Sequence, residues 1–170
     1  YRPQVSGWFV VQDFIPRNST SCSIVVQGVN PGEKAELTTM WTMLGYSPTG
    51  IAVPLWVKDA DKFLPSMVCW DKACAAAPLS DWSLRLSNNV FCYNQGMGTN
   101  RYLNWEKLYN MENYGYMHQL VSVVAEVFRR TCPLLDSWRQ QGSIDSQEMQ
   151  KLYQDVEALV RKAYTPLMEQ

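Results

Sequence analysis

Four consecutive residues, Arg17, Asn18, Ser19 and Thr20, place a guanidinium beside an amide and two hydroxyls. An arginine offers five N–H donors in a planar fork that matches a carboxylate or a developing oxyanion, so a catalytic arginine could be held here. The group falls just ahead of an apolar run over residues 21–29, with Pro16 restricting the backbone on its other side. A cation held between a proline and a strand is set by stiff backbone and not by a loose loop. The plainer reading is a surface arginine at the mouth of a strand, and spacing alone favours it.

The remaining chemistry-bearing side chains make no complete site. Cys22, Cys69, Cys74, Cys92 and Cys132 are odd in number, so at least one thiol stays free or pairs outside the chain. Cys69 and Cys74 are close enough in sequence to close a small loop, whereas Cys22 and Cys132 lie in apolar runs and are expected as buried thiols. No Cys-x-x-Cys pair occurs and His118 is the sole histidine, so no metal site and no cofactor are expected. His118 precedes an apolar helical stripe, where a satisfied structural role is the commoner one. Asp59 and Asp61 read as solvated loop acids. The pair Gly96 and Gly98 is a weak phosphate signal without a following helix, and no nucleophile elbow, Walker loop, zinc-protease helix or calcium loop is present.

The elements that must position Arg17 follow from periodicity. Residues 5–14, 21–29, 37–44 and 51–57 are rich in Val, Ile, Thr and Trp and are separated by Asn-Pro-Gly and Ser-Pro-Thr-Gly turns, which predicts four strands of one antiparallel sheet. Pro54 cannot donate to a ladder and marks an edge or a bulge. Residues 58–110 read as loop-rich, with a short helix capped within Pro78, Leu79, Ser80 and Asp81, ended by the glycines near 96, and followed by an irregular stretch or short strand from Arg101. Residues 111–170 read as a helical hairpin. Met117, Leu120, Val121, Val124, Val127 and Phe128 form one stripe that Pro133 should kink or end, Gly142 closes the segment, and Asp145 with Glu148 opens a second stripe running to Pro166. The fold class is therefore α+β, a single domain over 1–170 with a sheet (1–57) covered on one face by the C-terminal helices.

Composition bounds the partners. At 170 residues and 46% hydrophobic the chain is long enough for one core, which at this size buries roughly 70% of the unfolded surface. Fifteen basic residues against sixteen acidic ones leave no basic field for a polyanion, so nucleic acid is not an expected partner. No apolar run reaches the roughly 20 residues of a spanning helix, so no membrane partner is expected either. A chain opening on Tyr1, Arg2 and Pro3 reads as a piece of something longer.

Longer spellings carry a resemblance. Asp13 through Thr20, then Val25-Val26-Gln27-Gly28-Val29-Asn30-Pro31-Gly32-Glu33, Leu37-Thr38-Thr39-Met40-Trp41-Thr42-Met43-Leu44-Gly45 and Ala52-Val53-Pro54-Leu55-Trp56-Val57, resemble the C-terminal part of bacterial N-terminal-nucleophile hydrolases. These are relatives of acyl-CoA:6-aminopenicillanate acyltransferase and, more distantly, of choloylglycine hydrolases. The resemblance covers about the first 57 residues closely and the helical tail in general pattern only. It implies an αββα sandwich and cleavage or transfer of acyl groups at linear amide bonds. The implied nucleophile is an N-terminal Cys whose own amine serves as base, which suits a chain almost without histidine. That Cys would lie upstream of Tyr1, leaving this chain inactive alone. By the same resemblance Arg17 stands near the nucleophile, with Asn18, Ser19 and Thr20 as substrate contacts. The implied partners are a small-molecule amide and the upstream part of the polypeptide, with a second copy of the chain as a candidate cover for an open sheet face. The implied compartment is periplasmic or secreted, which a Cys69–Cys74 bridge would suit. The alternative is a non-catalytic ligand-binding or interaction domain that uses the aromatic-rich loops near Trp70 and Tyr102.

Overall fold

A computed structural model describes residues 7–10, 15–17, 19–93 and 101–169, without the side chains of residues 8, 10, 92, 93 and 101. It has two three-stranded antiparallel sheets. One holds β2 (Cys22–Gln27), β3 (Thr39–Leu44) and β4 (Val53–Leu55) in that order; the other holds β1 (Trp8–Val10), β6 (Arg101–Asn104) and β5 (Phe91–Tyr93) in the order β1-β6-β5. The helices are α1 (Ala60–Phe63), α2 (Pro78–Val90), α3 (Trp105–Leu108), α4 (Tyr116–Gln141) and α5 (Ser146–Met168).

The α+β class and the C-terminal helical hairpin agree with the sequence reading, but the single four-stranded sheet does not. Within the expected strand over 5–14, residues 8–10 are strand, and they pair with β6 and not with β2. An alternating pattern declares which face of a strand is apolar and says nothing about its neighbour. The turn at Arg17 to Thr20 lies between β1 and β2, and β6 supplies β1's ladder instead. Pro54 does sit on an edge strand, opposite Trp41.

The sheet of β2, β3 and β4 is covered more fully than expected. Side chains alternate along β3, and Thr39 and Trp41 are buried on one face while Thr42 is buried on the other. All three residues of β4 are buried. Both faces of these two strands are therefore closed by the chain itself; only β2 is left open. Trp41 stacks on Phe128 of α4 at 4.1 Å, and Trp56 meets Trp138 of α4 edge-on at 5.3 Å. At the far end, Arg139 of α4 donates to the Gly28 carbonyl and pairs with Glu33 at 3.2 Å, which ties the turn after β2 to the helix.

Within the hairpin, Gly142 takes φ +74° and caps α4. Asp145 caps α5 by accepting from the N–H groups of Gln147 and Glu148. Only half of the expected capping box forms, because the Glu148 carboxylate accepts the Trp138 indole N–H at 2.8 Å instead. Pro133 does not end the first helix. It lies inside α4 on the solvent side, and the carbonyl it leaves without its helical partner belongs to exposed Arg129. Pro166 is likewise exposed inside α5. Helix α2 starts with Pro78 at its first position, after Ala77, so none of the residues 78–81 serves as its N-cap. The glycine loop over 96–100 lies outside the described residues.

The thiol expectations need correction. Cys22 and Cys132 are exposed, the first on the open strand β2 and the second on the outer side of α4 beside buried Thr131. Cys69 and Cys74 are not bridged. Cys69 donates to the Pro65 carbonyl and Cys74 to that of Ala76, because the loop folds through a bridge between Asp71 and Ala76 with Ala75 at φ +53° and turns each thiol to its own backbone.

Candidate functional site

The Arg17 segment is a tight turn. The Thr20 N–H donates to the Arg17 carbonyl at 2.8 Å, and the Arg17 N–H donates to the Thr20 hydroxyl at 3.0 Å. Thr20 thus helps lock the turn, its hydroxyl bonded to the Arg17 backbone and keeping its own O–H donor. Arg17 and Ser19 are exposed, and among the described residues no carboxylate forms an ion pair with Arg17. Asn18 lies outside the described residues.

What fixes this turn is the end of β3. The Ser21 carbonyl accepts the Gly45 N–H at 2.7 Å, one residue beyond the turn. Gly45 has φ +84°, and a Cβ there would meet the Ser83 side chain at 2.7 Å, so both backbone conformation and close approach call for glycine. Ser83 of α2 donates to the Tyr46 carbonyl, Thr49 donates to the Ser83 carbonyl at 2.8 Å, and Tyr164 of α5 donates to the Thr49 carbonyl at 2.7 Å. A buried chain of hydroxyls therefore anchors the segment after β3 to two helices. Burial pushes the Tyr46 phenol up to about 12 and raises that of Tyr164 as well, so both stay neutral.

Beside the same segment runs an apolar groove of about 300 Å³, lined by Met43, Ser47, Pro48, Met117, Leu120 and Val121. Ser47 is hydrogen-bonded to Ser23 of β2 along its wall. Guanidinium turn and groove are thus attached to one end of one sheet, through Ser21, Gly45 and Ser47. Chemically, the first suits a carboxylate or oxyanion and the second a hydrocarbon group. No protein-family model, curated protein or solved structure matches this chain.

The groove was not read from sequence. Met117 and Val121 stand four residues apart and read as part of a core stripe, yet both are exposed because they lie on the flank of α4, beside the buried line of Tyr116, Leu120 and Val127. His118 is not the satisfied residue expected. Its ring lies on Tyr109 with centroids 3.9 Å apart, and its buried Nδ1 has no partner among the described residues. Tyr109 belongs to the segment after α3, away from the Arg17 turn in the chain, so the contact is a packing one. Among the described residues no group of three or more His, Cys, Asp or Glu side chains is placed to hold a metal ion. Among the described residues no helix is long and apolar enough to cross a membrane.

Proposed function

We propose that this chain is the C-terminal part of a cysteine N-terminal-nucleophile hydrolase or acyltransferase that acts on linear amide bonds within an αββα sandwich, its nucleophile contributed by residues upstream. The observation that carries the proposal is Arg17: an exposed guanidinium without a carboxylate among the described residues, on a turn closed by two hydrogen bonds and pinned to a sheet end. A cation so placed gains little for stability and is available to a carboxylate or a developing negative charge. The near absence of histidine suits a nucleophile that carries its own amine as base.

In the proposed reaction the thiol gives its proton to that amine, sulfur bonds to the acyl carbon, and the C–N bond breaks as the proton passes to the leaving amine; water or an acceptor amine then takes the acyl group as the C–S bond breaks, and its proton returns to sulfur. Arg17 holds the substrate carboxylate or the oxyanion, and Ser19 and Asn18 are its neighbours for the amide. The test uses the intact polypeptide, with Arg17→Ala and Arg17→Lys. A fall in kcat/KM of at least tenfold, about 1.4 kcal/mol, is expected for both, with an unchanged unfolding midpoint. Hydrolysis by Arg17→Ala within about twofold of the parent ends the assignment.

A second reading has one observation in its favour: Trp70 is 73% exposed on the loop before the Asp71 bridge, as a binding anchor would be. Tyr102, by contrast, is held inside a sheet. An interaction domain would show no amide hydrolysis and no N-terminal Cys in the intact polypeptide, and would lose its partner on Trp70→Ala.

A further inference from the structure

Strand β2 pairs with β3 along one edge and, among the described residues, has no strand on the other. The Ser21 carbonyl points toward β3, since it accepts the Gly45 N–H. Backbone groups alternate in direction along an antiparallel strand, so Ser23, Val25 and Gln27 are turned to β3 while Cys22, Ile24 and Val26 offer their N–H and C=O groups to the open side. The register with β3 runs without a bulge from Cys22 opposite Leu44 to Gln27 opposite Thr39. Among the devices that protect an edge, β2 itself carries no charge, no proline and no bulge. Its side chains are open on both faces as well, Ile24 at 50%, Val25 at 66% and Val26 at 63% exposure.

From this edge we infer that β2 is an interface between two copies of the chain, pairing antiparallel with itself about a two-fold axis at Val25 to make one six-stranded sheet. The strand's own order singles out this register. With Val25 opposite its counterpart, Ile24 falls opposite Val26 of the second copy and Ser23 opposite Gln27, so apolar meets apolar on both faces and polar meets polar on the face of Val25. Moving the axis to Ile24 or Val26 keeps the backbone pairing but sets Val25 against Ser23 or Gln27. The chosen register also matches the backbone directions, because Ile24 and Val26, the residues whose groups face outward, become the hydrogen-bonded pair. Val25 becomes the close pair without hydrogen bonds, where side chains approach most nearly.

The buried surface would extend beyond the strand. Val25 lies directly opposite Trp41 in the ladder, and Trp41 stacks on half-exposed Phe128 of α4. A two-fold axis perpendicular to the sheet keeps this face on the same side in both copies, so the apolar surface from Val25 to Phe128 meets its duplicate. The contact is isologous and closes at two subunits.

Sedimentation velocity or light scattering on the 170-residue chain tests the pairing, and neither readout depends on amide hydrolysis. Twice the 19.5 kDa chain mass is expected for the parent. Val25→Lys and Val25→Glu each set like charges against one another at the axis and are expected to be monomeric. Mixing the two is expected to restore a one-to-one dimer, since Lys then faces Glu. Val25 is exposed in the single chain, so both variants should keep the parent's circular dichroism and unfolding midpoint. A monomeric parent, as when another stretch of polypeptide fills this edge, overturns the inference. Higher oligomers, dimeric single variants or a mixture that stays monomeric overturn it equally.

Discussion

Replacing Tyr164 by Phe isolates the tie between α5 and the segment that supports the Arg17 turn. The ring is buried and lies 5.5 Å from that of Trp82, and Phe keeps both features. Only the hydroxyl is lost, which donates to the Thr49 carbonyl at 2.7 Å. Thr49 is buried, so water does not replace it. A buried polar group left without a partner costs roughly 1–3 kcal/mol, which is the loss expected of Tyr164→Phe. Tyr153→Phe is the internal standard, because its hydroxyl accepts a single N–H, that of Trp56, at 3.1 Å, and one orphaned group corresponds to roughly 1–3 kcal/mol. Urea unfolding followed by tryptophan fluorescence reads both, with the slope unchanged and the midpoint lowered. Tyr164→Phe should fall in the same range as Tyr153→Phe. A loss below about 1 kcal/mol for Tyr164→Phe would refute the argument that this hydroxyl satisfies a buried carbonyl.

Two further outcomes follow from the helices. Asp145→Ala removes the acceptor for two N–H groups at the start of α5 and should cost about 1 kcal/mol in the same urea assay, while Asp145→Asn should retain most of the cap. Hydrogen bonds from Arg129 and Arg130 hold the Glu126 carboxyl down to about 2, below its unfolded value of about 4.3. Because the folded value is the lower one, the stability Glu126 contributes is present above the unfolded value and is lost as pH falls toward about 2. Carboxyl-carbon NMR of Glu126 should show that low midpoint; titration near about 4 would count against the paired geometry.

Features that depend on neighbours in the chain were legible before any coordinates. Gly142 and Asp145 mark the turn between the two long helices because a left-handed residue and a capping carboxylate act on backbone groups only a few positions away. The runs around 22–27 and 39–44 became strands, and Pro54 went to an edge, since its missing N–H is a local fact. Arg17 was read at the mouth of a strand, and there it is.

What needed the tertiary structure is whatever depends on which surfaces meet. Alternation in residues 8–10 could not name residues 101–104 as partners, and Cys22 and Cys132 could not be known to face outward, because a strand or helix becomes core only where another element covers it. The same holds for the site. The hydroxyl of Thr20 was legible beside Arg17, but only the fold bends the chain so that this hydroxyl accepts the Arg17 N–H. Met117 and Val121 carry the core spacing and yet line an open groove, since α4 turns Leu120 and Val127 inward and leaves its flank uncovered. Sequence by itself determined the local conformations and the residue types that could do chemistry; only the packing of α2, α4 and α5 around one sheet decided which of those side chains share a surface, because burial is a property of contacts between segments distant in the chain.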